Sequence, residues 1–371
     1  MTEQKPNIFL VRTTLVLLSL ISLAFIINIG QDIIVPIAFS VCLAILLLPM
    51  NRYMEKKRID RIPAILISIL LALLVLTIII YFFTQQIANF VNDIPLLKKQ
   101  VNHHLITIQR WIYTQFHLTK LEQTEYFNKA TSEIGDNKTG FIGQTFLTIT
   151  NSIFFLVLLP IYTFLVLYYR DMIKKFLIDL FPRNNKEDVV HVITASRTII
   201  NGYMVGLLIE MGIITTINYV GFLVIGIKYA LFLSVFTAIL NMIPYIGMLI
   251  ASILCMLITA STSTEIMDVV WVLAVLVVVQ FFDNNILMPK IVSSKIKINA
   301  MATIIGVLVG GALAGVSGMF LSIPFIAIMK TICDRVPELK PWGEILGDEI
   351  TIMYKGRLIK KFVKPKAPKN T

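Results

Sequence analysis

Charged residues are scarce in this chain of 371 residues. Only 15% of its residues are Asp, Glu, Lys or Arg, whereas 57% are hydrophobic. A soluble domain carries about 25% charged residues, so the shortage excludes an ordinary water-soluble globular protein. The three cysteines, Cys42, Cys255 and Cys333, have no spacing typical of a disulfide framework or a zinc site.

Motifs of catalysis and nucleotide binding are missing as well. The sequence has no P-loop, no H-E-x-x-H and no G-x-G-D. Residues 315–318 match the G-x-S-G of intramembrane serine proteases, but such a serine needs a base within hydrogen-bonding distance, and all four histidines lie outside the apolar stretches. We therefore predict no enzyme, no catalytic residue, no bound metal and no cofactor. Uphill transport would draw on an ion gradient, with H⁺ or Na⁺ as the coupling ion.

Long apolar stretches take the place of these motifs. A bilayer core about 30 Å thick needs roughly 20 predominantly apolar residues per helix. Eight stretches meet or approach this length, at residues 10–29, 33–50, 63–83, 146–169, 204–227, 229–260, 267–282 and 300–333. The pattern predicts an all-α polytopic membrane protein that is surrounded by a lipid bilayer.

The net charge of +11 is concentrated beside these stretches. Basic residues follow the second and the fourth stretch, at residues 52–61 and 170–175, and dominate the tail after residue 354. Basic residues that flank spans are typical of cytoplasmic loops near anionic headgroups. The placement predicts cytoplasmic N- and C-termini and argues against nucleic acid as a partner.

Two of the stretches are too long for one span and are interrupted near their middle. Pro244 interrupts residues 229–260 within N-M-I-P-Y-I-G, and a glycine-rich segment at 310–318 interrupts residues 300–333. If both fold back as re-entrant hairpins, every short loop obeys the positive-inside rule. The alternative, that both are long tilted helices with a kink, stays open at this point.

The hairpin interpretation predicts an inverted repeat, in which a span and a broken-helix hairpin occur twice in opposite orientation. Transporters of this architecture bind their substrate near the midplane of the membrane. We divide the chain into a three-span scaffold (1–83), an extracytoplasmic helical segment (84–145), a fourth span with a cytoplasmic linker helix (146–200), a transport core (201–334) and a basic cytoplasmic tail (335–371).

Ionisable residues inside apolar stretches are costly to bury and are functional candidates by default. Glu210 lies within the fifth stretch and Asp283 ends the seventh. Glu210 is the leading candidate for ion coupling, and its alternative role is a hydrogen bond to the polar tip of a hairpin. Asp283 could instead cap the end of a helix. The remaining candidates for the substrate or ion pathway are Asn241, Pro244, Gly247, Gln280, Asn284, Gly310, Gly311, Gly315, Ser317 and Gly318.

Several separated segments have recognisable motifs. The most distinctive are N-M-I-P-Y-I-G at 241–247 and D-N-N-I-L-M-P-K-I-V at 283–292, and others lie at 160–171, 208–210, 310–319 and 334–347. In this order the segments resemble the autoinducer-2 exporter family of bacterial, PerM-type permeases. The resemblance implies secondary transport by a homo-oligomer in the bacterial inner or plasma membrane, and members are tied to export of a furanone-type signalling compound or to sodium/proton exchange.

Three hypotheses follow. The first is an ion-gradient-driven exporter of a small polar molecule, with its site at the two hairpin tips. The second is a sodium(lithium)/proton antiporter of the same fold. The third is a membrane scaffold that transports nothing and acts through residues 84–145.

Overall fold

The computed structural model describes residues 8–92, 157–244, 246–293 and 298–347, together with residues 353–354 and 357–358. Nearly all of these residues are helical. Most of the predicted segment 84–145, the beginning of the fourth predicted span and most of the basic tail lie outside the described residues.

Eleven α-helices are described along the chain. In chain order they are α1 Ile8–Ile29, α2 Gln31–Lys56, α3 Arg61–Asn92, α4 Val157–Tyr168, α5 Arg170–Asp179, α6 Lys186–Ile225, α7 Ala230–Asn241, α8 Ile246–Thr262, α9 Ile266–Phe282, α10 Ala300–Cys333 and α11 Lys340–Leu346. A π-helix (Asp283–Ser293) extends α9, 3₁₀ turns occur at Arg183–Asn185 and Pro337–Leu339, and β1 (Met353–Tyr354) pairs antiparallel with β2 (Arg357–Leu358).

Five helical segments of the described chain are long and apolar enough to cross a membrane. By length and composition they are Gln31–Lys56, Arg61–Phe90, Lys186–Ile225, Ile266–Ile291 and Ala300–Cys333, of which the last is broken at Ala314 and Gly315. Large apolar side chains on them face outward, for example Val224 at 82% exposure and Phe281 at 69%. Such surfaces belong in lipid, so the prediction of a helical membrane protein is confirmed.

The first interrupted stretch forms a hairpin of α7 and α8, called hairpin 1 below. The two helices pack along each other, and Thr237 Oγ1 lies 3.3 Å from Cys255 Sγ. At the turn, a Cβ on Gly247 would overlap the carbonyl oxygen of Leu240. Glycine is therefore required where the chain folds back beside Pro244.

The second interrupted stretch, α10, also folds back on itself and is called hairpin 2. Its helical geometry breaks at Ala314 and Gly315, and Gly315 has a φ of +58°. Past the break the chain returns beside its own first arm, where the backbones of Gly310 and Gly318 approach so closely that a Cβ on either would overlap the other's carbonyl. Glycine permits both the left-handed φ and the close approach.

Each arm of the two hairpins is short. α7 and α8 have 12 and 17 residues, which corresponds to roughly 18 and 26 Å at 1.5 Å per residue. The break in α10 leaves arms at 300–313 and 316–333, roughly 21 and 27 Å long. α7 and the first arm of α10 are therefore too short to cross a hydrocarbon core of about 30 Å, whereas α8 and the second arm of α10 are at the lower limit of a membrane span, about 17 residues.

Helix α6 is the central element, and it continues without a break across residue 200. Three buried apolar clusters follow one another along it. Tyr203 and Leu207 pack with hairpin 2, Ile214 packs with α7 and α9, and Phe222 packs with α7, α8 and α9. These clusters fix the helices around α6 and leave polar residues in the gaps between them.

The first arm of hairpin 2 is anchored by α11. The side chain of Asn299 accepts a hydrogen bond from the backbone N–H of Ala302 at 2.8 Å and donates to the carbonyl oxygens of Ile345 and Gly347. The cap therefore satisfies a free N–H of α10 and also ties the start of the hairpin to the segment that follows its end.

Candidate functional site

Two buried carboxyl groups lie together in the interior of the helical bundle. Glu210 on α6 is 6% exposed, and Asp283, where α9 becomes π-helical, is 2% exposed. Their carboxyl groups are within hydrogen-bonding reach of each other. Glu210 occupies the gap on α6 between the Leu207 and Ile214 clusters, so packing on both sides holds it in place.

Hairpin 1 contributes its tip to this pair. Asn241 is the last residue of α7, and its Nδ2 donates a hydrogen bond to Asp283 Oδ2 at 3.0 Å. The break at Pro244 ends α7 at this depth, because proline cannot continue the helical hydrogen bonding. The sequence thereby places an amide directly against a carboxylate inside the protein.

The pair has unused hydrogen-bonding capacity. Glu210 Oε2 and Asp283 Oδ1 are buried and have no partner among the described residues, and neither has the hydroxyl of Tyr203 nearby in the same cavity. Two ionised carboxylates side by side repel each other in a medium of low dielectric constant. A shared proton or a small cation between them would remove this repulsion, and carboxylate oxygens are suitable ligands for hard cations.

A cavity of about 70 Å³ surrounds the pair. This volume accommodates several water molecules or an ion with part of its hydration shell, and it is far below the roughly 300–1,000 Å³ of small-molecule sites. The cavity is lined by Tyr203, Leu207, Glu210, Asn241, Met242, Pro244, Gln280, Asp283, Asn284, Met288, Ile298, Thr303 and Ile323.

The π-helix at Asp283–Ser293 forms part of the cavity wall. π-helical turns are rare and frequently occur at functional sites. At its start, Gln280 Nε2 donates to Asn284 Oδ1 at 3.0 Å, which orients both amides at the edge of the cavity. The wider turn brings Asp283, Asn284 and Met288 to the same cavity.

The twelve residues predicted for the pathway lie in three places. Six of them line the cavity described above: Glu210, Asn241, Pro244, Gln280, Asp283 and Asn284. Gly247 lies just past the tip of hairpin 1, against Leu240. Gly310, Gly311, Gly315, Ser317 and Gly318 lie around the tip of hairpin 2, outside this cavity's lining. For all twelve, a role in transport remains a prediction.

The tip of hairpin 2 has a different neighbour. Asn28 at the end of α1 donates from Nδ2 to the carbonyl oxygen of Leu313 at 3.3 Å, and Phe39 on α2 stacks on Phe320 with 5.3 Å between ring centroids. Hairpin 2 reaches the cavity through its arms, with Thr303 and Ile323. The two tips therefore do not meet at one site in this structure.

Sequence reasoning did not single out Tyr203 or Thr303 as cavity residues. Tyr203 is 1% exposed and precedes Glu210 by seven residues, so it lies on the same face of α6 two turns earlier. That spacing could have indicated it. Thr303 carries no comparable signal, because its position depends on how hairpin 2 packs against α6.

Helices long enough to cross a bilayer and a polar interior site at a helix break define an integral membrane protein of the transport class. Residues 15–338 match the family model described as "AI-2E family transporter". The chain therefore belongs to this family, which confirms the resemblance, and the protein is a multi-pass membrane transporter or permease.

Relatives of the chain carry corresponding names. It is 26% identical over 315 residues to "Putative transport protein YrrI" of Bacillus subtilis, covering 81% of this chain and 86% of the relative. It is 23% identical over 296 residues to "Putative transport protein YueF" of the same species, covering 76% and 78%. It is 25% identical over 187 residues to "Putative permease PerM" of Escherichia coli, covering 50% and 52%.

Proposed function

We propose that the protein is a secondary transporter driven by an ion gradient, in which a proton or Na⁺ binds between Glu210 and Asp283. The observation that carries this proposal is the contact of two buried carboxyl groups at the tip of a broken helix. The unpartnered oxygen on each carboxyl group provides the ligands for the coupling ion.

Coupling follows from the cost of the empty site. A charged side chain at membrane depth costs several kcal/mol, and two like charges side by side cost more. Without its ion the site is therefore unfavourable in any conformation that is closed to water. Binding of one proton or one monovalent cation lowers this cost and permits the closed state. The protein can then expose the site to the other side of the membrane only with the ion bound, and ion movement is coupled to transport.

The membrane arrangement that we propose for the core is an inverted repeat with two re-entrant hairpins. The short first arm of each hairpin supports it, because arms of roughly 18 and 21 Å end inside a hydrocarbon core of about 30 Å. Both termini would then be cytoplasmic. The broken backbone at the tip of hairpin 1 lies beside the cavity, where irregular structure is tolerated at membrane depth, whereas Gly315 and Val316 at the tip of hairpin 2 are exposed.

The cargo that we propose is a small polar molecule, which the protein exports; a furanone-type signalling compound is one example. A sodium(lithium)/proton antiporter is the second candidate. The cavity of about 70 Å³ favours this candidate, because that volume holds an ion and a few waters rather than a ring compound. Both candidates use the same acid pair.

Proteoliposomes containing the purified protein test the acid pair. We expect Glu210→Gln to slow ion-coupled flux by about 100-fold, because the neutral amide neither binds a proton nor attracts a cation. The matched control is Glu265→Gln, which changes an exposed glutamate between α8 and α9 and should leave the flux unchanged. Equal fluxes in both variants would remove Glu210 from the mechanism.

The two cargo classes are separated in the same vesicles without any organic solute. An antiporter moves protons out of acid-loaded vesicles as soon as Na⁺ or Li⁺ is added outside. An exporter shows little response to the cations alone and instead exchanges a labelled furanone across the membrane. If the protein were only a scaffold acting through residues 84–145, neither flux would exceed that of empty vesicles.

A further inference from the structure

A set of fully buried polar side chains continues from the acid pair along the inside of hairpin 1. We call the set Asn218, Ser234, Thr237, Cys255 and Thr259 the polar ladder. Each of these residues has 0% exposure. The ladder leads from the cavity toward the other end of the α6–α7–α8 bundle, where Ile225, Ala230 and Thr262 lie.

The packing of α6 shows that Asn218 faces this interior. Asn218 lies one turn from Ile214 and one turn from Phe222, on the same helix face. Ile214 packs in a buried cluster with Ala238, and Phe222 packs in another with Leu233 and Cys255. Asn218 is therefore level with the stretch of α7 between Leu233 and Ala238, which contains Ser234 and Thr237.

Hydrogen bonds within the protein explain only part of the ladder. Ser234 Oγ donates to the carbonyl oxygen of Ala230 at 2.7 Å, and Thr237 pairs with Cys255 at 3.3 Å. Both polar atoms of Asn218 and the hydroxyl of Thr259 are buried and have no partner in the part of the chain that the structure describes. Polar atoms buried in this way are normally satisfied by ordered water.

The spacing of the ladder suits a chain of water molecules. Asn218 is eight residues from Glu210, a rise of roughly 12 Å, and Thr259 is 13 residues from the start of α8, a rise of roughly 20 Å. Thr237 and Ser234 lie four and seven residues before Asn241, at roughly 6 and 10 Å. Along α7 the polar groups of Asn241, Thr237 and Ser234 are thus separated by rises of roughly 6 and 5 Å, steps that one or two waters bridge.

We propose that the polar ladder lines a hydrated path, open to water and to small monovalent cations, that connects the acid pair with the end of the bundle at Ile225 and Thr262. The role of this path depends on the proposed function: it would supply the coupling ion to Glu210 and Asp283. Irregular or unpaired polar groups at membrane depth are tolerated where they line a wet cavity, and the unpartnered Asn218 meets that description.

Cys255 gives a direct test, because its thiol belongs to the ladder and Ag⁺ is a thiol-reactive cation that passes through water but not through packed apolar side chains. The substitutions Cys42→Ala and Cys333→Ala leave Cys255 as the single thiol. The protein is placed in vesicles in nitrate buffer and exposed to Ag⁺, and the thiol that has not reacted is then quantified after denaturation. The matched control is Ala44→Cys on a cysteine-free background, since Ala44 is 2% exposed within the apolar α2–α3–α4 cluster.

We expect Cys255 to react with Ag⁺ at least about tenfold faster than the thiol at position 44, and Asn218→Leu to slow the Cys255 reaction by about tenfold. Asn218→Ser, which keeps a polar group, should retain most of the rate and serves as the second variant if Asn218→Leu does not fold. Equal rates at positions 255 and 44, or a rate that Asn218→Leu leaves unchanged, would overturn the path. Ag⁺ reactivity does not require turnover, so failure of this test is distinct from a failure of Glu210→Gln to change the flux.

Discussion

The two hairpins solve the same geometric problem with different residues. Hairpin 1 turns at Pro244 and ends its first helix with Asn241, whose amide donates to Asp283. Hairpin 2 turns at Ala314 and Gly315, with a positive φ and glycines that let its two arms touch. One tip delivers a polar side chain to a cavity, and the other brings backbone against backbone.

The difference shows that a broken helix is not by itself a binding site. Proline interrupts the hydrogen bonding and leaves neighbouring positions free to carry polar side chains, as at Asn241. A glycine turn removes side chains from the tip and thereby allows close packing. In this protein the acid pair meets the tip of hairpin 1, whereas hairpin 2 contributes Thr303 and Ile323 from its arms.

The largest contrast is expected between the two asparagines that contact the hairpins. Asn241→Leu should reduce ion-coupled flux by about 10- to 100-fold, because Asp283 loses the hydrogen bond that the Asn241 amide donates to its carboxyl group. Asn28→Leu removes the exposed 3.3 Å bond to Leu313 at the other tip and should change the flux less than about twofold. Equal losses would show that both tips serve the site, as the sequence alone predicted.

A second contrast concerns stability at the glycine turn. Gly318→Ala places a methyl group on the carbonyl of Gly310 and should lower the Tm of the purified protein by about 5 °C or more. Gly212→Ala on α6 is the control, because a Cβ there meets nothing within 4 Å, and it should raise the Tm slightly or leave it unchanged. A tolerated alanine at 318 would mean that the arms of hairpin 2 are further apart than described.

A smaller effect is expected where α11 holds the start of hairpin 2. Asn299→Ala removes a helix cap and the hydrogen bonds to Ile345 and Gly347, which should lower the Tm by about 2–4 °C. Asn185→Ala, at the start of α6, removes an asparagine that makes no side-chain cap and should have almost no effect. Thermal unfolding in detergent followed by fluorescence measures both.

The smallest effect is expected outside both hairpins. Lys186 donates a hydrogen bond to Asp179 at 2.7 Å, and this bond, with the lysine charge, lowers the pKa of Asp179 below its ordinary value. Because the pKa of Asp179 is lower in the folded state, the pair stabilises the fold at pH values above the ordinary pKa. This contribution to the free energy of unfolding is lost as the pH falls through the pKa of the folded state. Asp179→Asn should therefore shift the Tm by less than about 1 °C at pH 7, because the pair is exposed, and by less at pH 3 than at pH 7. A larger shift at pH 3 than at pH 7 would contradict this sign.

Much of the architecture could be predicted from local sequence features. Apolar stretches of about 20 residues become helices because nothing in them breaks the hydrogen bonding, and Pro244 and the glycines at 310–318 mark both turns. Glu210 and Asp283 were identifiable as candidates because charges in apolar surroundings are costly. Each of these inferences depends on residues that are close in the sequence.

The contact between Glu210 and Asp283 could not be predicted, because it depends on how α6 and α9 pack. The same limit applies to Thr303, to the α11 anchor at Asn299 and to the π-helical geometry after Asp283. The expectation that both tips meet also went beyond the sequence, since it followed from the symmetry of a repeat. Residues far apart in the chain approach through side-chain packing, which no local pattern specifies.

The most direct measurement is proton release on cation binding. Na⁺, Li⁺ and K⁺ are added in turn to the purified protein in weakly buffered detergent solution, and the pH change is recorded for the unaltered chain, Glu210→Gln and Glu265→Gln. The acid pair predicts release of up to one proton per subunit with at least one cation, retained in Glu265→Gln and lost in Glu210→Gln. Release that persists in Glu210→Gln, or no release with any cation, would contradict a proton and a cation competing for the two carboxyl groups.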